Sequence, residues 1–470
     1  MTMTGNSRVY DSLDAPADRR LVADFQVSIQ GMDLAAPAVV LPDFHHKGDM
    51  EMPSSIAVAT RETIRATLTS SSVNCGMALI ALDTGPPTPR AMDRFFRGVR
   101  ESYPYPPTHR RDLSVGDVLG CAARGGEFAV ERFGVDPVEL ERVEEGGRLR
   151  LDSFGGPERL RRELPWLTLQ LSRLRFGTVG PSNHFIELQE VEEVVDPHAA
   201  SILGLEQGQM TLQYHAGGGV LAGQVGRLFG RRQKTSRGQR LAMAVLKPYH
   251  HLASARSLED LRTRLRLYFS GGCPPVVRGE SEGNRQLLAT YAAMNYGFAF
   301  RLATYSSLRR LAEMYLGASS SRLVVDSPHN SIYEEPVGDE VAIVHRHNAC
   351  RAYPAWRLAP DTAFGRVGQA MLLPGSHRTS SYVCVADDSA FRTLYSASHG
   401  TGTLIERMVE QGRSGPHRHG LTTRRYRYSD AAPAEDPQLD DNGVNEGLAI
   451  LTGANVIRPV ARMRPLAVLN

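Results

Sequence analysis

The sequence predicts an α+β fold built on a central mixed or antiparallel sheet flanked by helices. Three observations predict it: short apolar runs of strand length toward both ends of the chain, long segments of helical periodicity between them, and no regular strand–helix alternation of the kind a parallel sheet demands. In chain order, residues 1–35 read as an irregular, polar N-terminal segment. The apolar run 38–41 reads as a short buried strand stopped by Pro42, 56–68 has helical spacing, and 77–82, directly after a Cys-Gly pair, reads as a second buried strand. The stretch 166–174, behind Pro165, fits either element. Residues 185–188 and 210–214 read as strands, each with a histidine at one end. Residues 257–269 form an amphipathic helix that Ser257 can cap, and 284–316 form a long core helix rich in Ala, Leu and Met. Short strands return at 323–325, 341–344, 371–373 and 382–385. The polar stretch 412–441 reads as a surface loop or insertion, and no internal repeat is present.

Composition narrows the function classes. With 470 residues, 41% of them hydrophobic and 22% charged, the chain can bury a large core, and residues 36–470 read as one large domain. Lys and Arg number 54 against 51 Asp and Glu, so the formal charge of +3 carries no global signature of polyanion binding and any nucleic-acid surface must be local. Two local basic clusters stand out: Arg227, Arg231, Arg232, Lys234, Arg237 and Arg240, and a smaller one at Arg159, Arg161 and Arg162. Five scattered cysteines (Cys75, Cys121, Cys273, Cys350, Cys384) and no apolar leader point to a reducing cytoplasm without disulfides. No apolar run approaches the roughly 18 residues that span a bilayer, so no membrane partner is expected.

Six segments set a metal-capable or nucleophilic side chain beside a Gly, Pro or Asn turn: Cys75-Gly76, Asn183-His184, His215 with Gly217 to Gly219, Pro328-His329-Asn330, His345 to Asn348, and His399-Gly400. Each alone is weak, because a lone histidine at a strand end is more often a hydrogen-bonded structural residue and a lone cysteine a small hydrophobe. None has the short spacing of a local zinc motif.

In order and with their neighbours, these segments resemble the RtcB-type tRNA-splicing ligase family over about residues 36–470. The matching blocks are Leu41 to His45 through Gly48; Asn74 to Met77; Gly177 to Gly180 through Asn183 to Glu187; Tyr214-His215 with its glycines; Met294 to Tyr296; Asp326 to Asn330; Val344 to Arg346; Pro374 to Ser376 through Ser381-Tyr382; Ser398 to Gly402; and Ala461 to Leu466. The resemblance implies an RNA ligase that joins an RNA 3′-phosphate or 2′,3′-cyclic phosphate end to a 5′-hydroxyl end, using GTP and one or two Mn²⁺ ions, with tRNA and an activating protein among its partners. It assigns Cys75, His184, His215 and His329 to the metal and His399 to the covalent nucleotide. It assigns Asn183, Glu187, Ser376 and Ser381 to nucleotide contacts. Ligand softness alone would favour zinc or iron over manganese for thiolate plus imidazole, so the manganese rests on the resemblance.

Several positions depart from the family pattern. An aspartate three residues before the bridging cysteine is Ser72 here, which removes an anionic ligand from one ion. Two phosphate-binding arginines fall on Gly219 and Thr403, although Arg407 remains one helical turn later and Arg378 offers a replacement charge. A guanine-reading lysine falls on Asn470, and an aromatic partner of the base falls near Asp436. These losses keep a second reading open, a non-ligating metal- or RNA-binding paralog with a regulatory role.

Overall fold

The computed structural model of the chain describes residues 1–46, 51–102, 113–174, 176, 179, 184–230, 236–269, 274–429 and 431–470. Among these residues two large sheets carry the α+β architecture. One is a 6-stranded sheet in the spatial order Thr2–Thr4, Ser7–Val9, Ala38–His45, Ser54–Thr60, Glu340–His347, Asn330–Val337. The other is a 9-stranded sheet whose main path runs Ser321–Pro328, Gly76–Leu82, Met210–Ala216, Phe185–Val194, Ile457–Leu469, Ser381–Ala386, Ala370–Leu373. Most pairings are antiparallel, with parallel joins at Ser7–Val9 on Ala38–His45 and at Thr422–Tyr426 on Ile457–Leu469.

Strand periodicity sorts the core. In the smaller sheet Val39, Leu41, Ala57, Ala59, Ala342 and Val344 face a cluster shared with Met371, Leu373, Tyr382 and Cys384 of the larger sheet. The alternate residues Ala38, Val40, Ile56 and Val58 face Val22, Phe25 and Ile29 of the Arg19–Ile29 helix. The helix Ser281–Leu316, 36 residues long, packs Leu287, Met294, Tyr296 and Leu302 among Ile80, Leu188, Leu212 and Tyr214 of the larger sheet. The opposite face of the larger sheet is closed by Pro197–Leu203 and Ala363–Val367.

Four expectations change. Residues 1–35 are not irregular: they hold two short strands and a helix capped by Asp18, whose carboxylate accepts from Arg20 N at 2.8 Å and Leu21 N at 3.2 Å. The helix predicted over 56–68 is instead the strand Ser54–Thr60 followed by a turn. This strand is buried on both faces, so polar alternation is lost and the wide spacing of Ile56, Ile64 and Leu68 imitates a helix. Pro42 does not end its strand, because pairing with Ser54–Thr60 is already interrupted between Val40 and His45 and no N–H is required there. The 412–441 stretch contributes Thr422–Tyr426 and Ala434–Pro437 to the edge of the larger sheet, where Arg424–Glu435 and Arg425–Asp436 ion pairs at 2.7 and 2.8 Å explain its polarity.

The ambiguous stretch is the helix Trp166–Leu174, and Ser257 Oγ caps Leu258–Phe269 by accepting from Asp260 N at 3.0 Å. Cys75, Cys121, Cys350 and Cys384 are buried free thiols, while Cys273 lies outside the described residues. Among the described residues no helix is long and apolar enough to cross a membrane.

Candidate active site

Antiparallel register brings the predicted residues together. Met210–Ala216 ends where Gly76–Leu82 and Phe185–Val194 begin, since Gly76 pairs with Ala216, and Met77 and Phe185 both pair with His215. Cys75 and His184, each one residue ahead of its strand, therefore arrive beside His215. Pro328 pairs with Gly76 at the same sheet end, and the chain then passes through His329 into Asn330–Val337 of the other sheet. Gly76 is required there, because a Cβ on it would stand 2.8 Å from Pro328 Cα.

The sulfur of Cys75 lies 3.2 Å from His215 Nε2 and 3.5 Å from His184 Nε2. The ligand atoms of Cys75, His215 and His329 all fall within 4.8 Å of one another. His399 stacks on His329 with ring centroids 3.5 Å apart and planes at 20°, and its ring centroid is 5.2 Å from that of His215. His399 is carried there by Ser396–Ser398, which pairs with Ala349–Arg351. Ala349 N in turn donates to His329 O at 2.9 Å, and His399 N donates to Asn348 O at 3.4 Å.

Burial favours the neutral forms of Cys75, His184 and His329. It pushes the Cys75 thiol up to about 12, although Arg301 and the Ser72 hydroxyl oppose it, and it lowers His184 to about 4. His329 is held well below the usual imidazole range by burial and by its neighbouring imidazoles, and its Nδ1 is buried with no hydrogen-bond partner among the described residues. An orphaned imidazole nitrogen beside a thiol and two more imidazoles fits a divalent cation, whose arrival would release the thiol proton. Ser72 stands at this cluster with its hydroxyl on the Cys75 sulfur, at the position where the sequence resemblance expects a carboxylate.

A polar network under the cluster fixes Cys75. Arg301, fully buried in the long helix, donates to Asp326 at 2.8 and 2.6 Å, to Asn74 Oδ1 at 3.1 Å and to Asn74 O. Asn74 itself sits at φ 58°. Arg301 was missed in the sequence. The available signal was an arginine inside an otherwise apolar helix, which is buried only with a partner.

A cavity of about 340 Å³ opens onto His215 and His399, walled by Asp43, Ser55, Asn348, Gly375 and Thr403. Asp43, Ser55 and Asn348 all have positive φ, so backbone strain gathers on this wall. Asp43 Oδ1 accepts from Leu404 N at 2.8 Å, while Asn348 donates from N to Asn330 Oδ1 and from Nδ2 to Ser54 Oγ, both at 2.9 Å.

The remaining predicted residues spread outward from this centre. Glu187 lies on the same sheet face as His215, opposite Gln213, fully enclosed; burial raises its carboxyl to about 8 against one hydrogen bond from Gln189 at 2.6 Å. Ser376 and Ser381 shape the 374–381 loop: Arg378 N donates to Ser376 Oγ at 3.1 Å and Gly375 N to Ser381 Oγ at 3.2 Å. Asn183 lies outside the described residues, as do Gly48, Gly177, Thr178, Gly180, Arg231, Arg232 and Lys234. Gly219 has φ +66°, and a Cβ there would stand 2.9 Å from Tyr296, so an arginine could not simply be restored. Thr403 stays on the cavity wall. Arg378 Nε is bound to Pro437 O at 2.7 Å, Arg407 Nη1 donates to Pro16 O at 3.0 Å, and Asp436 pairs with His377 at 3.0 Å. Asn470 N donates to Tyr426 O at 3.4 Å.

Comparison with known proteins gives the family. Residues 28–470 match the family model described as tRNA-splicing ligase RtcB. The tRNA-splicing ligase RtcB of Pyrococcus abyssi is 29% identical over 420 residues, 84% of this chain but only 42% of that protein. The chain thus spans about two-fifths of the length of this relative. The tRNA-splicing ligase RtcB of Thermococcus kodakarensis is 27% identical over 92% of this chain and 87% of its own length. The RNA-splicing ligase RtcB of Mycobacterium tuberculosis is 29% identical over 84% and 87%. With a family match that takes in the whole larger sheet, all but the first two strands of the smaller one and the thiol–imidazole cluster, the chain belongs to the RtcB family.

Proposed function

We propose that this chain is an RNA ligase that joins a 3′-phosphate or 2′,3′-cyclic phosphate end to a 5′-hydroxyl end through a nucleotide carried on His399. The observation that carries the reading is the stack of His399 on His329, 3.5 Å between ring centroids, at the edge of a cluster of one thiol and three imidazoles. In this reading His399 attacks the α-phosphorus of GTP and pyrophosphate leaves. GMP then passes to the RNA 3′-phosphate, and the 5′-hydroxyl oxygen displaces it, so that three displacements through two covalent intermediates replace one difficult step; a 2′,3′-cyclic end first takes up water, which breaks the P–O2′ bond and leaves the 3′-phosphate.

Cys75, His184, His215 and His329 would hold the cation, Mn²⁺ by family resemblance. When bound it supplies charge neutralisation at the phosphates and a more electrophilic phosphorus. Asn348 orients the His399 backbone, and Asp43 anchors the start of the helix that follows the His399 loop. Glu187, a buried carboxyl that accepts from Gln189 at 2.6 Å, suits a ligand that brings its own N–H donors, as guanine does. Asn183, Ser376 and Ser381 are the further nucleotide contacts in this reading.

A second reading, a metal- or RNA-binding paralog without ligase activity, is favoured by Gly219, where the backbone and Tyr296 leave no room for the family's phosphate-binding arginine. The decisive experiment incubates the purified chain with Mn²⁺ and α-labelled GTP or ATP. A protein-bound label that survives denaturation and disappears in His399→Ala is expected. No label with either nucleotide would leave the paralog reading standing.

A further inference from the structure

A larger cavity, about 810 Å³, lies between the helices Gly156–Glu163, Arg237–Leu252 and Leu258–Phe269, and none of the residues walling the His399 cavity lines it. It includes the small basic cluster of the sequence, which the reaction centre leaves unused. Its cations divide into two sets. Arg159 and Arg264 are spent on carboxylates, Arg159 on Glu163 at 3.2 Å and Arg264 on Glu282 at 2.6 Å. Arg161, Arg162 and Arg256 are exposed and form no ion pair with any described residue.

Two large aromatic side chains share the cavity. Trp166 is 65% exposed and Tyr249 62%, a costly display of apolar surface unless something covers it. The floor is rigid: Arg285, fully buried, donates to His250 O at 2.7 Å and to His251 Nδ1 at 2.9 Å. His250 lines the cavity with 3% of its surface exposed, yet its Nε2 has no hydrogen-bond partner among the described residues. A buried, unpartnered ring nitrogen in a cavity wall points to a ligand that completes it.

We propose that this cavity is a second RNA-binding site, which grips an unpaired stretch of the substrate away from its reacting ends. Arg161, Arg162 and Arg256 meet phosphates, Trp166 and Tyr249 stack on bases, and His250 Nε2 takes a base edge or a 2′-hydroxyl. A free phosphate would need no aromatic pair, and an acidic peptide would use neither the stacking faces nor His250. The site also has a route to the reaction centre. Trp166 opens the helix that packs on Gly219–Leu228, and the latter starts four residues after the metal-binding candidate His215.

This inference rests on the RNA-ligase reading for its substrate, but binding can be measured without ligation. The test titrates the full chain with fluorescent 30-nucleotide and 6-nucleotide RNAs bearing 3′-phosphates, at several salt concentrations. For the triple variant Arg161→Ala, Arg162→Ala, Arg256→Ala we expect affinity for the longer RNA to fall about tenfold or more, with a salt slope shallower by about 2. Trp166→Ala with Tyr249→Ala should weaken it about tenfold at an unchanged slope. Binding of the 6-nucleotide RNA and thermal melting should stay as in the parent, which separates a lost contact from a lost fold. If both variants bind the longer RNA within twofold of the parent, or if poly-glutamate displaces it as well as RNA does, the proposal fails. If the variants lose RNA as expected while the parent forms no His399 adduct, the RNA site stands and the ligase reading falls.

Discussion

The cavity over His215 and His399 keeps its chemistry on thiol and imidazole donors at strand ends, whereas the cavity between the helices presents permanent cations and bare aromatic rings to solvent. The first is expensive to build: an arginine–aspartate pair, three strained backbone positions and a protonated carboxyl are enclosed around it. The second costs the fold little, because its arginines are already hydrated. The difference teaches where each kind of substitution should register, in folding for the first cavity and in ligand binding for the second.

The largest effect should come from Arg301→Met, which leaves Asp326 charged and buried and releases Asn74 from its left-handed conformation. A loss of about 3–5 kcal/mol is expected in urea unfolding. A change under about 1 kcal/mol would show that the network does not hold the Cys75 turn.

Glu187→Gln comes next. The unfolded chain ionises Glu187 near 4.5, but the fold keeps its proton until about 8, so the folded state binds more protons across that window and stability falls as pH rises through it. The variant lacks this penalty. It should match the parent below pH 4.5 and exceed it by about 2–4 kcal/mol above pH 8, measured without nucleotide. Parallel stability curves would sink the claim.

Ser72→Asp restores a carboxylate beside Cys75 and should tighten metal binding roughly tenfold, read by competition against a chelating dye. Equal metal affinity would mean that the hydroxyl position does not reach the ion. The smallest effect belongs to the other cavity: Arg161→Ala with Arg162→Ala should move stability by less than about 0.5 kcal/mol.

Much of the fold was legible where one signal dominated. The strands beginning near Met77, Phe185 and Met210 and the helix ending at Leu316 follow directly from apolar runs and a long 3.6-residue period. Ser54–Thr60 was misread because two-sided burial removes the alternation that marks a strand, and Arg19–Ile29 was missed because Val22, Phe25 and Ile29 make too narrow a stripe. The cluster itself was legible only through family resemblance, since its members come from five distant turns and only strand register unites them. Asp43, Ser55 and Asn348 carry no sequence mark of their positive φ beyond their residue types.

His329 is the one residue between Ser321–Pro328 of one sheet and Asn330–Val337 of the other, so the backbone changes sheets across it. A donor at such a seam makes ion capture and sheet docking a single equilibrium, since whatever parts the sheets also withdraws one tooth from the chelate. The metal would then act as a rivet, and its residence time would gauge how firmly the two sheets are fastened.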